Sequence, residues 1–420
     1  PRGSYDRDEF VPGDDDMTSA EAPATRTPNR PRRDPALDGI RGIAVLLVCL
    51  DHALGLRYSV LTVGLDLFFA LSGYLITSLA LAESSQTGTI RMKAFFERRV
   101  RRIFPALLLF LLASVLLGAA GRLPTPTVYI EAFFGAVLLY PLAFVLVPEV
   151  IELRLSHLHS LFQEEWFYIF WVPALGSMLA KGRMRRAFRV ACAIAALGAL
   201  SRLALTLAGS PAVEGVLRPD IMFFGSVIAF ARYGWVQRTG GGQRPGRAWV
   251  WLTSAGLVLL VGSIVVGVIA RHPNSAQWMD SLFAGRGDGA AIAERLALMS
   301  VGFSRLAAPA AVAATFVYRS DAVVLRVLRN PVLRWYGLVS YGLYLWHPIV
   351  LFVLHPDMVI DAKHVWITFP GPSWRPLFDS IVLSAALAWV SFRFFEQRFL
   401  KRSNLGITAD ANRTSKTNPG

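Results

Sequence analysis

The stretch His157-Leu158-His159-Ser160-Leu161-Phe162-Gln163-Glu164-Glu165 packs two imidazoles and two carboxylates into nine residues. Such clustering suits general acid and base work, because each type of group tunes the proton affinity of the other. Metal binding is the competing use: His157 and His159 stand two apart, a spacing that fits ligands on a strand or loop, and Glu164 could add a carboxylate. The expectation is acid and base chemistry without a metal.

A second group gathers near the start of the chain, where an otherwise apolar run carries Asp38, Arg41, Asp51 and His52. Ionisable groups inside a membrane span are costly and mark functional sites by default. In a helix, Arg41 and His52 are separated by about three full turns, so both project from one face roughly 16 Å apart along the axis, with Asp38 near the same stripe. The competing reading makes Arg41 a snorkelling anchor and His52 an interface residue. In the next run Asp66 lies beside Phe68 and Phe69, where a carboxylate needs a partner. Ser72 and Gly73 follow, small residues that also serve close helix packing.

Arg98, Arg99, Arg101 and Arg102 surround an apolar stripe of Met92, Phe96, Val100 and Ile103 at helical spacing. That pattern describes an interfacial amphipathic helix. Its guanidinium forks suit either anionic lipid headgroups or the phosphates of a ligand held in bidentate fashion.

The elements that must position these groups are membrane helices. Apolar residues make up 54% of the chain and charged residues only 17%, and the apolar ones fall into blocks about as long as a bilayer crossing. The blocks are 37–56, 61–81, 103–120, 161–180, 190–208, 216–230, 249–270, 296–317, 335–354 and 377–395, with 128–147 ambiguous. The net charge of +14 is almost all arginine, which in a soluble protein would raise nucleic acid as a partner. Here the arginines sit between apolar blocks and read as the positive-inside signature, so no nucleic acid is expected. Cys49 and Cys192 both lie inside apolar blocks and argue for no disulfide framework.

Basic connections at 26–33, 91–102, 181–189, 232–247, 319–334 and 401–402 should face the cytosol, so each interval must cross an even number of times. Only the interval between 102 and 181 holds three blocks. The middle one, with Glu131, Pro141 and Pro148, is the candidate for a non-crossing segment. The expected fold is an all-α polytopic membrane bundle of about ten transmembrane helices with both termini cytosolic. It places residues 157–165 near the outer face. Residues 1–35 and 403–420 are expected to be disordered cytosolic tails around a membrane domain at 36–402, and Met17 is a candidate start. A transporter is the rival class, weakened by the lack of a visible internal repeat.

Several motifs occur in order along the chain: Arg41 with His52, the segment 64–77, the basic run 98–105, His157 to Tyr168, Arg218-Pro219-Asp220 before Gly225, Ser340-Tyr341-Gly342-Leu343-Tyr344-Leu345-Trp346-His347, and Glu396. In this order they resemble the membrane-bound acyltransferase-3 family. Members of that family move acetyl, propionyl or longer acyl groups from acyl-CoA to hydroxyls of polysaccharides, peptidoglycan, lipids or macrolide antibiotics.

The resemblance implies an enzyme of the plasma membrane with no cofactor beyond acyl-CoA as co-substrate. Its acceptor would be a sugar-containing hydroxyl compound such as a macrolide, with an envelope glycan as the alternative. It further implies that His52 is closest to the chemistry; since acyl transfer needs a base for the attacking hydroxyl, His52 is expected to be that base or an acyl carrier, oriented by Asp51 or by a carboxylate from another helix. Arg41, Arg98, Arg99, Arg101 and Arg102 would bind the donor, while Glu164 and His157 orient the acceptor or share the proton. Asp38, Asp66, Ser72, Ser160, Arg218, Asp220 and His347 are further candidates. The chain departs from the family at His159, where Trp is usual, and at Gln397 and Arg398, where a basic residue and Pro usually follow the glutamate. Some members carry an appended hydrolase-like domain, and the end of this chain soon after Lys401 makes a stand-alone version the expectation.

Overall fold

A computed structural model describes residues 34–54, 60–123, 157–210, 219–240, 245–272, 274–282, 288–361, 366–368 and 374–399. The described residues of the ten apolar blocks named above fall on helices or at their ends: α1 (Pro35–Leu54), α2 (Val63–Thr87), α3 (Met92–Ala119), α4 (Leu158–Ala180), α5 (Met184–Leu207), α6 (Pro219–Thr239), α7 (Arg247–Ala270), the α9–α10 pair (Gly289–Ala307, Pro309–Val317), α12 (Pro331–Leu354), and α13 with α14 (Trp374–Phe378, Ser384–Ser391). Short helices α8 (Ser275–Leu282) and α11 (Val323–Leu328) connect them, and π-helical turns at Asp379–Leu383 and Phe392–Glu396 flank α14. Among the described residues, the exception to an all-α description is a three-residue antiparallel ladder, β1 (Val359–Asp361) with β2 (Trp366–Thr368).

Among the described residues, seven helical stretches are long and apolar enough to cross a bilayer by length and composition. The helices outside that set include α1, α4 and α6, which carry the ionisable residues Arg41, Glu164 and Asp220. The expected non-crossing block at 128–147, residues 1–33 of the N-terminal tail and the tail at 403–420 lie outside the described residues, whereas Asp34 and Pro35, expected in the tail, cap and open α1.

Exposed surfaces confirm the environment. Trp251, Leu252 and Val258 on α7 and Leu197 on α5 are each about 70% exposed, at 74%, 69%, 72% and 69%. Water would penalise such a surface, whereas lipid tails would not.

Local sequence explains how the site-bearing helices begin and stop. Asp34 accepts from the Ala36 backbone N–H at 3.0 Å and Pro35 opens α1, while Asn330 accepts from Val332 and Leu333 ahead of α12, whose first residue is Pro331. At the end of α2, Gly88 takes φ 75°, and its N–H donates to the Ser84 carbonyl.

α1 and α12 run side by side in the same direction and touch backbone to backbone. A Cβ at Gly42 would collide with the Leu333 carbonyl oxygen, and one at Gly337 with that of Asp38. Missing side chains let the two helices approach closely, and this brings the far ends of both, with His52 and His347, together. Two buried ion pairs brace other contacts. Arg202 on α5 grips Asp220 on α6 with a fork of bonds between 2.9 and 3.2 Å, and Arg305 on α9 lies 3.4 Å from Asp66 on α2. A charge in such an interior persists only when it is paired.

Candidate active site

Two apolar clusters meet along the bundle, one containing much of α2, α4, α5 and α6, the other built from α3, α12 and α14. Between them lies a pocket whose empty space, including its mouth, is about 790 Å³. Arg41, Arg99 and Arg102 line it, together with Ser72, Glu164, Tyr168 and Tyr344.

Glu164 is held at this pocket by two donors: the Ser72 hydroxyl at 2.8 Å and the Tyr168 hydroxyl at 3.0 Å. Arg99 lies over the Tyr168 ring at 4.6 Å and within 5.9 Å of the Phe95 ring, a cation–π seat that fixes the guanidinium. Arg41 is 13% exposed and lies 4.0 Å from Asp38, one turn earlier on α1. The pocket therefore presents guanidinium groups from two helices around a single carboxylate.

Beyond the pocket three imidazoles gather. His52 and His347 meet edge to face with centroids 4.9 Å apart, and His157 lies 6.0 Å from His347. His157 also packs edge-on against Phe110 and Tyr344. The His52 Nδ1 is 2.9 Å from the Val48 carbonyl oxygen and that of His347 is 3.1 Å from the Leu343 carbonyl oxygen. A carbonyl only accepts, so each Nδ1 carries the proton and each Nε2 offers its lone pair. For His347 that Nε2 is fully buried and has no hydrogen-bond partner among the described residues.

The candidates named from sequence are thus sorted by the tertiary structure. Arg41 and His52 share α1 but lie at different places, Arg41 in the pocket and His52 in the imidazole group. His157 and Glu164, seven residues apart, are divided the same way, so Glu164 faces the arginines rather than the histidines. Ser160 is buried near both, with its hydroxyl 2.6 Å from that of Tyr344. Asp51 is half-buried in the last turn of α1, but the group that holds the His52 Nδ1 is a backbone carbonyl.

Within the basic run, Arg99 and Arg102 line the pocket, whereas Arg98 sits 3.7 Å from Glu83 and Arg101 is exposed. Asp66 and Asp220 are the acidic halves of the bracing pairs, outside the pocket lining. Arg218 lies outside the described residues. Glu396 is buried and accepts from the Ser391 hydroxyl at 3.1 Å. No group of three or more His, Cys, Asp or Glu among the described residues is arranged to hold a metal.

Sequence reasoning missed Arg202 and Arg305, whose signal was an arginine inside an apolar block. It also quoted Tyr344 only as part of a motif. The spacing Ser340, Tyr344, His347 puts all three on one helical face, and that signal was available.

A helical bundle with an apolar exterior and an ionisable interior defines a multi-pass membrane protein. The profile of the Acyl_transf_3 family, described as "Acyltransferase domain", matches residues 34–393, and the chain belongs to this acyltransferase-3 family. It is 29% identical over 388 residues to the protein named "Putative O-acetyltransferase SACOL0978" of Staphylococcus aureus (strain COL), covering 87% of this chain and 57% of that protein. It is 23% identical over 386 residues to the peptidoglycan O-acetyltransferase OatA of Listeria monocytogenes serovar 1/2a (strain ATCC BAA-679 / EGD-e), covering 86% and 55%. Against the O-acetyltransferase OatA of Staphylococcus aureus (strain NCTC 8325 / PS 47) the identity is 26% over 384 residues, covering 89% and 58%. The chain spans a little over half the length of these curated relatives. No solved structure matches it.

Proposed function

We propose that this protein is a plasma-membrane O-acyltransferase that moves an acyl group from acyl-CoA to a hydroxyl of a sugar-containing acceptor. The observation that carries the reading is the pairing of an arginine-lined pocket with a group of imidazoles immediately beyond it. Arg41, Arg99 and Arg102 offer the charge and fork geometry that CoA phosphates require. His52 offers a basic Nε2 whose tautomer is set by the Val48 carbonyl.

In the transfer, the acceptor oxygen attacks the thioester carbonyl while the His52 Nε2 takes the hydroxyl proton. The C–S bond then breaks, and the departing thiolate takes the proton back from the imidazolium. The products are an ester and free CoA. Stepwise transfer through an acyl-histidine uses the same atoms in two stages, with the acyl group resting on the imidazole nitrogen between them. The termini lie in the cytosol, with acyl-CoA entering from the same side past Arg102.

The named activity of the Listeria relative supports an envelope glycan as acceptor, and a macrolide or other small glycoside is the alternative. Purified full chain in detergent, given radiolabelled acetyl-CoA, tests the donor. Release of free CoA together with labelled ester on peptidoglycan fragments supports the reading, and labelled macrolide with unlabelled glycan moves the acceptor to the alternative. No CoA release with any acceptor removes the acyl-CoA reading.

A further inference from the structure

None of the three histidines lines the pocket, yet one residue that does line it also touches two of them. Tyr344 is 7% exposed, faces the pocket together with Arg41 and Glu164, and packs its ring 5.6 Å from His157 and 5.9 Å from His347. On the pocket side Phe68 meets it edge-on at 6.5 Å. Its hydroxyl donates to the His157 carbonyl and lies 2.6 Å from the Ser160 hydroxyl, which itself reaches the same carbonyl at 3.1 Å. The phenol thus spans from α12 to the first turn of α4 and is tied down at its tip.

We propose that Tyr344 is the partition between the donor pocket and the imidazole group, and that its ring sets the size of the acyl group that reaches His52. The inference rests on the acyl-CoA reading above. A thioester whose CoA phosphates are held by Arg41, Arg99 and Arg102 must direct its acyl end past Tyr344 to meet His52. A ring clamped at its hydroxyl leaves a gap of fixed width. Short acyl groups pass, and each further methylene meets the phenol. One methylene against a fixed wall changes discrimination by about 10-fold or more. Loosening the tip widens the gap by letting the ring swing, and removing the ring abolishes the limit.

The test compares kcat/KM for acetyl-, propionyl-, butyryl- and hexanoyl-CoA in the purified full chain, wild type against Tyr344→Phe and Tyr344→Ala. Tyr344→Ala should raise the butyryl-to-acetyl ratio by about 10-fold or more, and Tyr344→Phe, which keeps the ring and loses the tether, by about threefold. Phe fills the same buried space, so the second variant keeps the inference testable if the alanine protein does not fold. Unchanged ratios in either folded variant would overturn the role of Tyr344 while leaving the acyl-CoA reading intact. A wild-type protein that consumes no acyl-CoA at all would overturn both together.

Discussion

The imidazoles of His52 and His347 meet edge to face at 4.9 Å and 74°, although 294 intervening residues separate them along the chain. Their meeting depends on the glycine-mediated contact between α1 and α12, and the first prediction follows from the Nε2 lone pair that His52 keeps when its Nδ1 donates to the Val48 carbonyl. His52→Ala should lower kcat by about 10²-fold or more with little change in acyl-CoA binding, the usual scale for losing a general base. Steady-state kinetics and donor titration on the same protein check it, and near-normal turnover in folded protein would remove His52 from the chemistry.

The basic run should divide by function. Replacing Arg99 or Arg102 with Gln removes a charged contact at the pocket and should raise the KM for acyl-CoA about 10-fold, with kcat less affected. Arg98→Gln, whose partner is Glu83, should change KM far less. Equal effects at all three positions would argue for a diffuse electrostatic role.

Helix contact is open to a steric test. In Gly337→Ala the new methyl would collide with the Asp38 carbonyl oxygen, and separating α1 from α12 should cost about 1–3 kcal/mol. A lower melting temperature in detergent, accompanied by reduced kcat, is expected. Full stability would show that the contact yields without cost.

Arg202 and Asp220 should behave as a brace. Removing either partner alone strands a buried charge and should cost about 3–5 kcal/mol, while the double variant Arg202→Met with Asp220→Leu should regain much of the loss. Thermal unfolding of the singles and the double checks the coupling, and turnover per folded molecule in the double should stay near that of wild type. Loss of turnover in stable double-variant protein would give the pair a part in the chemistry.

Topology is testable at the turn between α4 and α5. With Cys49 and Cys192 replaced by Ala, a single cysteine at Lys181, beside the positive-φ Gly182, should label only after the cytosolic face is opened. Labelling in intact cells would reverse the orientation.

Sequence alone determined the helices, because apolar block length and arginine placement are local properties read residue by residue. It also determined that Arg41 and His52 share a helical face, since helix periodicity needs no tertiary contact. Asp66 was recognisable as a carboxylate needing a partner, but that partner, Arg305, lies 239 residues away and no local pattern points to it.

Tertiary structure alone decided the grouping. His157 and Glu164 are neighbours in sequence, yet two turns of α4 carry one to the imidazoles and the other to the arginines. Four arginines of one amphipathic helix look alike in sequence. The seat of Arg99 over the Tyr168 ring of α4 and the contact of Arg98 with Glu83 of α2 separate them, and Arg99 and Arg102 line the pocket. The physical reason is that a helix determines which residues share a face, while the neighbours it packs against determine what that face meets.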